Sequence, residues 1–326
     1  MKSKRILFIS KGNNAPSTRY RAQAFVKYLE KDHWEVNFAD ASGSIFKKAK
    51  VLRQASKADV VVIIRKGFSA FYLNLLRKVS QKLIYDFDDA IFLNGSGSQS
   101  GNRKKRFIRS LKACDQVWAG NGYLAAEAQK YHSQVEIIPT AVDPAKYESK
   151  ATKPEDFFDL VWIGSSSTGK YIKECVPFMR KAAEAIPELR LKVIADFAIE
   201  DDYVNVVAVP WSEASEIDEL ASSHVGVAPM TDDLWTQGKC GLKVLQYIAA
   251  GLPVISSSAG VNKEMVIDQV TGHLINQPED WSPAIIDLYN RRKALPEMNL
   301  QAQKILTENY TVETVYQKIS SCLKRL

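Results

Sequence analysis

The chain has 326 residues, a length that accommodates two domains of roughly 150 residues each. Hydrophobic residues make up 46% and charged residues 25%, the balance of a soluble globular protein and neither that of a disordered chain nor that of a membrane-embedded one. A net charge of +7 and a pI near 9.0 favour anionic partners: nucleic acid, an anionic membrane surface or phosphorylated substrates.

Strand-like apolar runs at Arg5–Ser10, Glu35–Phe38, Asp59–Ile64, Lys82–Tyr85, Gln116–Ala119 and Val135–Ile138 alternate with helical patterns over Ser17–Lys31, Ser69–Ser80, Asn102–Ala113 and Tyr123–Tyr131. This alternation predicts an α/β protein whose parallel sheets are covered by helices on both faces. The rhythm breaks at Pro139-Thr140-Ala141-Val142-Asp143-Pro144 and the polar stretch Glu148–Asp156, which reads as the linker. A second series follows, with strands at Leu160–Ile163, Leu189–Ala195, Val204–Val209, Val225–Ala228, Val254–Ser257 and Gly272–Ile275. The expected domains are therefore 1–145 and 146–308, with a closing helix in 309–326 that packs back toward the first domain. Ligands of doubly wound sheets sit at the carboxyl ends of the strands, so a cleft between two such halves is the expected site.

The cysteines Cys114, Cys175, Cys240 and Cys322 lie far apart, without a C-x-x-C pair. They signal neither a zinc site nor a disulfide framework, and predict free thiols in a reducing cytosol. The longest pure aliphatic run, Val60–Ile64, is too short to span a bilayer, and the start of the chain is too short for a signal-peptide core. A cytoplasmic protein, at most peripheral on a membrane surface, is the expectation. The basic run Asn102–Lys112 has apolar interruptions that suit anionic headgroups, although a solvated helix face fits it equally; nucleic acid is not the expected partner, since no recognition motif accompanies the charge. Asn94–Gly101 reads as a flexible loop by composition.

The strand ends carry the chemistry. After the first strand come Gly12 and Asn13, then Ser17 as a predicted N-cap with Arg19 and Arg21 in the first helical turn. Cations are disfavoured at a helix N-terminus, so two arginines there suggest an anion within reach. The dinucleotide fingerprint G-x-G-x-x-G is absent. The fourth strand runs into Asp86-Phe87-Asp88-Asp89. Three readings stay open for this cluster: a D-x-D metal site, an acid that orients or deprotonates an acceptor hydroxyl, and N-capping by Asp88 or Asp89. In the second half, Gly164-Ser165-Ser166-Ser167-Thr168-Gly169-Lys170 offers small hydroxyl residues and glycines to phosphate oxygens, but Tyr171 breaks the P-loop spacing. Trp211 is placed either to stack on a nucleobase or to pack as an ordinary aromatic. The histidines show no metal-ligand spacing, and there is no G-x-S-x-G elbow.

The most informative stretch, Gly238–Val254, reads as a loop, a helix and a buried strand. Its glycines let the backbone approach a ligand, and its helix start offers free N–H groups to an anion. Lys239 and Lys243 stand four apart and are expected on one helix face, where a phosphorylated partner would turn their repulsion into a gain.

At these residues the chain resembles retaining glycosyltransferases of the GT-B fold, family 4. The resemblance is carried by Pro16–Arg21, Tyr85–Phe92, Ile138–Asp143, Trp162–Ser165, Gly238–Val254 and Gly260–Asn262, and is strongest to a bacterial subgroup that builds surface polysaccharides. It implies two Rossmann-like doubly wound domains facing across a cleft. One departure stands out: the family's Glu-x7-Glu motif falls on Gly238 and Gln246. The second acid commonly holds the donor ribose, and Gln246 can bond a hydroxyl only without charge; Gly238 contributes only backbone.

The resemblance further implies a nucleoside diphosphate sugar donor and a glycan or lipid-linked acceptor. Lys239, Lys243 and the helix start at Cys240 and Gly241 would stabilise the charge growing on the diphosphate. Gly164, Ser165, Ser166, Lys170 and Trp211 would add donor contacts. Retention would follow front-side attack, with no protein nucleophile, no cofactor and no metal. Gly12, Asn13, Arg19, Arg21 and Asp89 would face the acceptor, with Asp88 in a catalytic role. Two rivals stay open: a sugar-nucleotide epimerase of the same fold, and a non-catalytic sugar-nucleotide or membrane-binding partner.

Overall fold

The computed structural model describes residues 3–12, 15–94 and 97–326. The N-terminal unit is organised by β1 (Lys4–Ser10), β2 (Trp34–Asp40), β3 (Val60–Ile64), β4 (Lys82–Phe87), β5 (Gln116–Ala119) and β6 (Val135–Ile137), all parallel, in the order β2-β1-β3-β4-β5-β6. Its helices are α1 (Pro16–Arg21), α2 (Val26–Lys31), α3 (Ile45–Ala55), α4 (Ala70–Val79), α5 (Gly101–Ala113) and α6 (Gly122–Gln129). Strand alternation divides the core between the two faces. Leu7 and Ile9 join Val51, Leu73, Leu76 and Phe107 from α3, α4 and α5, while Ile6 and Phe8 join Phe25 and Leu29 on the other side. β3 consists only of β-branched residues buried on both faces, as a central parallel strand requires.

Two helices differ from the sequence pattern. The helix expected over Ser17–Lys31 is broken, because Ala22 leaves helical geometry (φ −139°, ψ −58°) and a 3-10 turn over Gln23–Phe25 intervenes. The first piece starts with Pro16 at its first position, so Ser17 lies inside the helix and is not its N-cap. The unforeseen α3 is capped by Ser44, whose hydroxyl accepts from Lys47 N–H. Its first residues Ile45 and Phe46 are exposed, which hides its periodicity.

The second sheet holds β7 (Phe158–Ile163), β8 (Leu189–Ala195), β9 (Asn205–Pro210), β10 (Val225–Ala228), β11 (Val254–Ser257) and β12 (Gly272–Ile275), parallel in the order β12-β11-β10-β7-β8-β9. In chain order the helices are α7 (Gly169–Cys175), α8 (Arg180–Ala185), α9 (Glu216–Ala221), α10 (Leu234–Gln237), α11 (Leu242–Ala249), α12 (Asn262–Met265), α13 (Trp281–Asn290), α14 (Leu295–Asn309) and α15 (Val312–Lys324). Two of these belong elsewhere. Asp233–Cys240, with α10, and Val312–Leu326, with α15, pack as parts of the N-terminal unit. The C-terminal unit is therefore Val142–Asp232 and Gly241–Thr311, not one continuous span.

The reason lies in local contacts. Asn121 caps α6 through Leu124 N–H and donates from Nδ2 to the carbonyls of Gln237 (3.0 Å) and Lys239 (2.9 Å). Gly238 lies against Ala90 so closely that a Cβ there would stand 2.6 Å from the alanine's own. On α15, Val315 and Ile319 enter the core beside Ile6 and Phe8, and the Tyr316 hydroxyl donates to Asp32 at 2.8 Å. Both sheets are thus doubly wound Rossmann-like layers, as expected. No helix among the described residues is long and apolar enough to cross a membrane.

Candidate functional site

In the N-terminal unit the strand register builds the acidic cluster. Ile64 pairs with Asp86, which brings Arg65, one residue past β3, beside the acids that follow β4. Arg65 Nη2 lies 2.6 Å from Asp89 Oδ2, and its Nε lies 3.3 Å from Asp88 Oδ1. Burial disfavours the Arg65 charge, but Asp88 and Asp89 outweigh it and raise its pKa. Asp89 also holds the Lys239 ammonium, at 3.2 and 3.3 Å to its two oxygens, and accepts from Ala90 N–H at 3.0 Å. The ammonium sits over the Trp235 ring, 4.5 Å from its centroid.

Arg21, expected at the acceptor, is instead a core residue. Its side chain is 1% exposed, clasped by both oxygens of Asp86 and by the carbonyl of Ile138, to which Nη1 donates at 2.6 Å. Burial works against the charge and Asp86 more than restores it, so the pKa of Arg21 is raised. The pair uses up both groups: Asp86 has both oxygens committed to Arg21. Asp88 differs, because its buried Oδ1 faces Arg65 without completing a hydrogen bond.

Cys240 is a buried thiol whose pKa burial pushes up, and its Sγ donates to the Asp88 carbonyl at 3.4 Å. Together with Gly238 and Lys239 it belongs to this acidic cluster rather than to the donor half. Gly12 fastens its own loop, with its carbonyl accepting from Thr18 Oγ1 at 2.7 Å. Arg19 is half-buried in α1, its guanidinium 5.9 Å from the Tyr20 ring centroid. Asn13 lies outside the described residues.

The expected shared face of Lys239 and Lys243 does not form. α10 ends at Gln237, and α11 begins at Leu242 only after Gly241, which takes φ +66°. That left-handed turn suits glycine, and a Cβ there would also meet Met265 Sδ at 2.6 Å. Lys239 therefore lies between the helices and serves the N-terminal unit, while Lys243 serves the C-terminal unit.

In that unit α11 starts behind Gly241, which has no side chain to cap the helix, so the first turn presents backbone amides of the kind that suit an anion. The Lys243 ammonium donates to Thr168 Oγ1 at 3.2 Å and lies 4.0 Å from the centre of the Trp162 ring. A Cβ on Gly164 would stand 2.3 Å from that ring and 2.8 Å from Lys243 Nζ, so only glycine fits between them. Ser165 and Ser166 are exposed; Ser165 bonds Ser167 at 2.8 Å, and Ser166 N–H donates to Asp196 Oδ1 at 2.8 Å. Lys170 is exposed over the Tyr171 ring at 4.7 Å.

Glu216 joins two candidates that the sequence leaves separate. Its Oε2 accepts from Trp211 Nε1 at 2.6 Å and its Oε1 from Gln246 Nε2 at 2.7 Å. Gln246 is 5% exposed, whereas Trp211 is 41% exposed. A carboxylate thus stands beside the position where the Glu-x7-Glu motif lacks one. Glu216, Arg65, Asn121 and Asp196 were all missed as site residues, because each meets its partners only once the chain is folded. The one available signal was their position at or near the ends of strands and the starts of helices.

No curated relative matches the chain. Among solved structures, Anabaena HepE in complex with UDP and glucose superposes with a TM-score of 0.73 at 15% identity, over 99% of this chain and 100% of that one. Sucrose-phosphate synthase from Thermosynechococcus elongatus gives 0.76 at 12% identity, over 99% and 98%. The pneumococcal O-GlcNAc transferase GtfA, in complex with UDP and GlcNAc, gives 0.64 at 17% identity, over 86% of this chain and 59% of its own. These likenesses establish the fold: two Rossmann-like halves of the GT-B type. Within that fold, residues 160–291 match the family model of the glycosyl transferases group 1.

Proposed function

We propose that the protein is a retaining glycosyltransferase of family 4 that moves a sugar from a nucleoside diphosphate sugar to a glycan or lipid-linked acceptor in surface-polysaccharide assembly. The observation that carries this reading is the placement of Lys243 Nζ by Gly164 and Thr168 at the first turn of α11, which begins at a glycine. As the anomeric C–O bond breaks, negative charge grows on the leaving diphosphate. Fixed amide dipoles and an ammonium placed there before the reaction stabilise that charge without reorganising. Lys243 takes this role. Lys239 is held by Asp89 and acts by keeping that acid, with Arg65, in place.

The exposed face of Trp211 suits a nucleobase, and its indole N–H is fixed by Glu216. The ribose hydroxyls meet the Glu216–Gln246 pair, in which the carboxylate supplies the charge that glutamine lacks. Ser165, Ser166 and Lys170 flank the phosphates, and the HepE and GtfA complexes make UDP the first nucleotide to try. On the N-terminal unit, Asp88 with Gly12, Asn13 and Arg19 recognises the acceptor. The acceptor oxygen attacks the anomeric carbon on the face the phosphate leaves, and its proton passes to a phosphate oxygen. The step consumes one C–O bond, forms another and needs no protein nucleophile.

The test is thermal shift with a panel of nucleotide sugars, followed by turnover of the best donor. Saturating ligand should raise the melting temperature of the chain. Lys243→Ala should lower kcat/KM at least about tenfold, or about 1.4 kcal/mol; an unchanged value removes Lys243 from the role. Release of free nucleoside diphosphate distinguishes a transferase from a pure binder.

A further inference from the structure

We infer that the face of the N-terminal unit built by α3, α4 and α5 docks on an anionic lipid bilayer. The inference stands apart from the transferase reading, since it uses no residue of the donor site.

Charge is the first observation. The three helices read IFKKAKVLRQA, AFYLNLLRKV and GNRKKRFIRSLKA: 12 Lys and Arg and not one Asp or Glu. The rest of the chain then carries 32 Lys and Arg against 37 Asp and Glu, so the whole basic excess resides on this face. Of the 12, only Arg77 meets a carboxylate among the described residues, Asp115 at 2.5 Å. All six cations of α5 are exposed: Arg103, Lys104, Lys105, Arg106, Arg109 and Lys112. A solvated helix face ordinarily interleaves both signs to limit repulsion; this one does not.

The second observation is apolar. Ile45 is 81% exposed, Phe46 87% and Phe71 75%, the three most exposed large hydrophobic residues among those described. They occupy the first turns of α3 and α4. These turns are tied together, because the Tyr72 hydroxyl donates to the Lys48 carbonyl at 3.0 Å. α4 packs against both α3 and α5, and a Cβ placed on Gly67 beside it would touch the Arg106 side chain at 3.7 Å. The buried sides of all three helices share one core through Val51, Leu73, Leu76, Phe107 and Leu111, so their outer sides form one face.

Basic side chains around an aliphatic and aromatic tip match a headgroup layer with acyl chains beneath it. A nucleic acid would answer the charge but has no use for Ile45, which cannot stack on a base.

The experiment is sedimentation of the full chain with phosphatidylglycerol-rich vesicles and with pure phosphatidylcholine vesicles, in the absence of any sugar nucleotide. Failure here is therefore separate from failure of the transferase reading. The chain should bind the anionic vesicles, release as salt rises, and leave phosphatidylcholine largely unbound. I45S/F46S/F71S and K104E/K105E/R109E alter only exposed positions, and each should weaken partitioning at least about tenfold. Equal binding to both vesicle types overturns the inference. So does an apolar-tip variant that partitions like the unaltered chain, or tighter binding to a DNA duplex than to the anionic vesicles.

Discussion

At the carboxyl end of β4, three carboxylates meet three cations of the same unit: Asp86 with Arg21, Asp88 with Arg65, and Asp89 with Arg65 and Lys239. At the carboxyl end of β7, Lys243 meets a hydroxyl, an indole face and the close backbone of Gly164, in the first turn of a helix that begins behind Gly241. The first arrangement commits Asp86 and Asp89 to holding loops on the sheet, with Asp88 set apart by an oxygen that completes no hydrogen bond among the described residues. The second sets an ammonium against neutral groups at the start of a helix. Substitutions at the first should therefore act on stability, and those at the second on ligand binding.

The largest effect should come from separating the buried pair. Asp86→Ala leaves Arg21 charged and without its carboxylate in the core, and should cost about 3–5 kcal/mol in urea denaturation. A loss below about 1 kcal/mol would mean that water reaches the guanidinium, and would break the contrast. Gly164→Ala comes next. Its new Cβ collides with Trp162 and displaces Lys243, at a strain of about 1–3 kcal/mol. Calorimetric titration should show nucleotide affinity falling with it; undiminished affinity would place the phosphates elsewhere.

Asp89→Asn sharpens the comparison from the other side. It weakens the hold on Arg65 and Lys239 and should lower stability by about 1–2 kcal/mol, with nucleotide affinity unchanged in the same titration. The smallest effect is a response to pH. Burial, with Lys153 nearby, lowers the pKa of His224 from 6.5 to about 4, and its Nδ1 accepts from Asp159 N–H at 3.0 Å. The unfolded chain takes up that proton near pH 6.5 and the folded chain only near pH 4. Stability should thus fall as pH drops between those values; full linkage would give about 3 kcal/mol, solvent screening of the partly buried ring should leave about 1 kcal/mol of it, and His224→Gln should flatten the urea midpoints across that window.

Much of the fold was written locally. The apolar runs Leu189–Ala195, Val225–Ala228, Val254–Ser257 and Gly272–Ile275 are strands with those same limits. A continuous buried run bounded by polar residues has few other ways to satisfy its backbone. The candidate site was legible only in part. Gly164 directly follows β7, and the fold brings Lys243 beside it. Lys239 was misread because spacing by four assumes an unbroken helix, and Gly241 interrupts it. Arg21 was misread because a guanidinium in a first turn looks exposed until Asp86, 65 positions away, closes over it. Glu216 was invisible for the same reason: its partners Trp211 and Gln246 flank it in sequence but meet it only once folded.

The return of α15 to the first sheet bears on how the chain is made. One side of that sheet, with Ile6, Phe8 and Phe25, has to wait for Val315, Tyr316 and Ile319. At ribosomal speeds of about 5–20 residues per second, the roughly 170 intervening residues take on the order of ten to thirty seconds to emerge. Throughout that interval a greasy half-core stays open, a window in which a chaperone can bind.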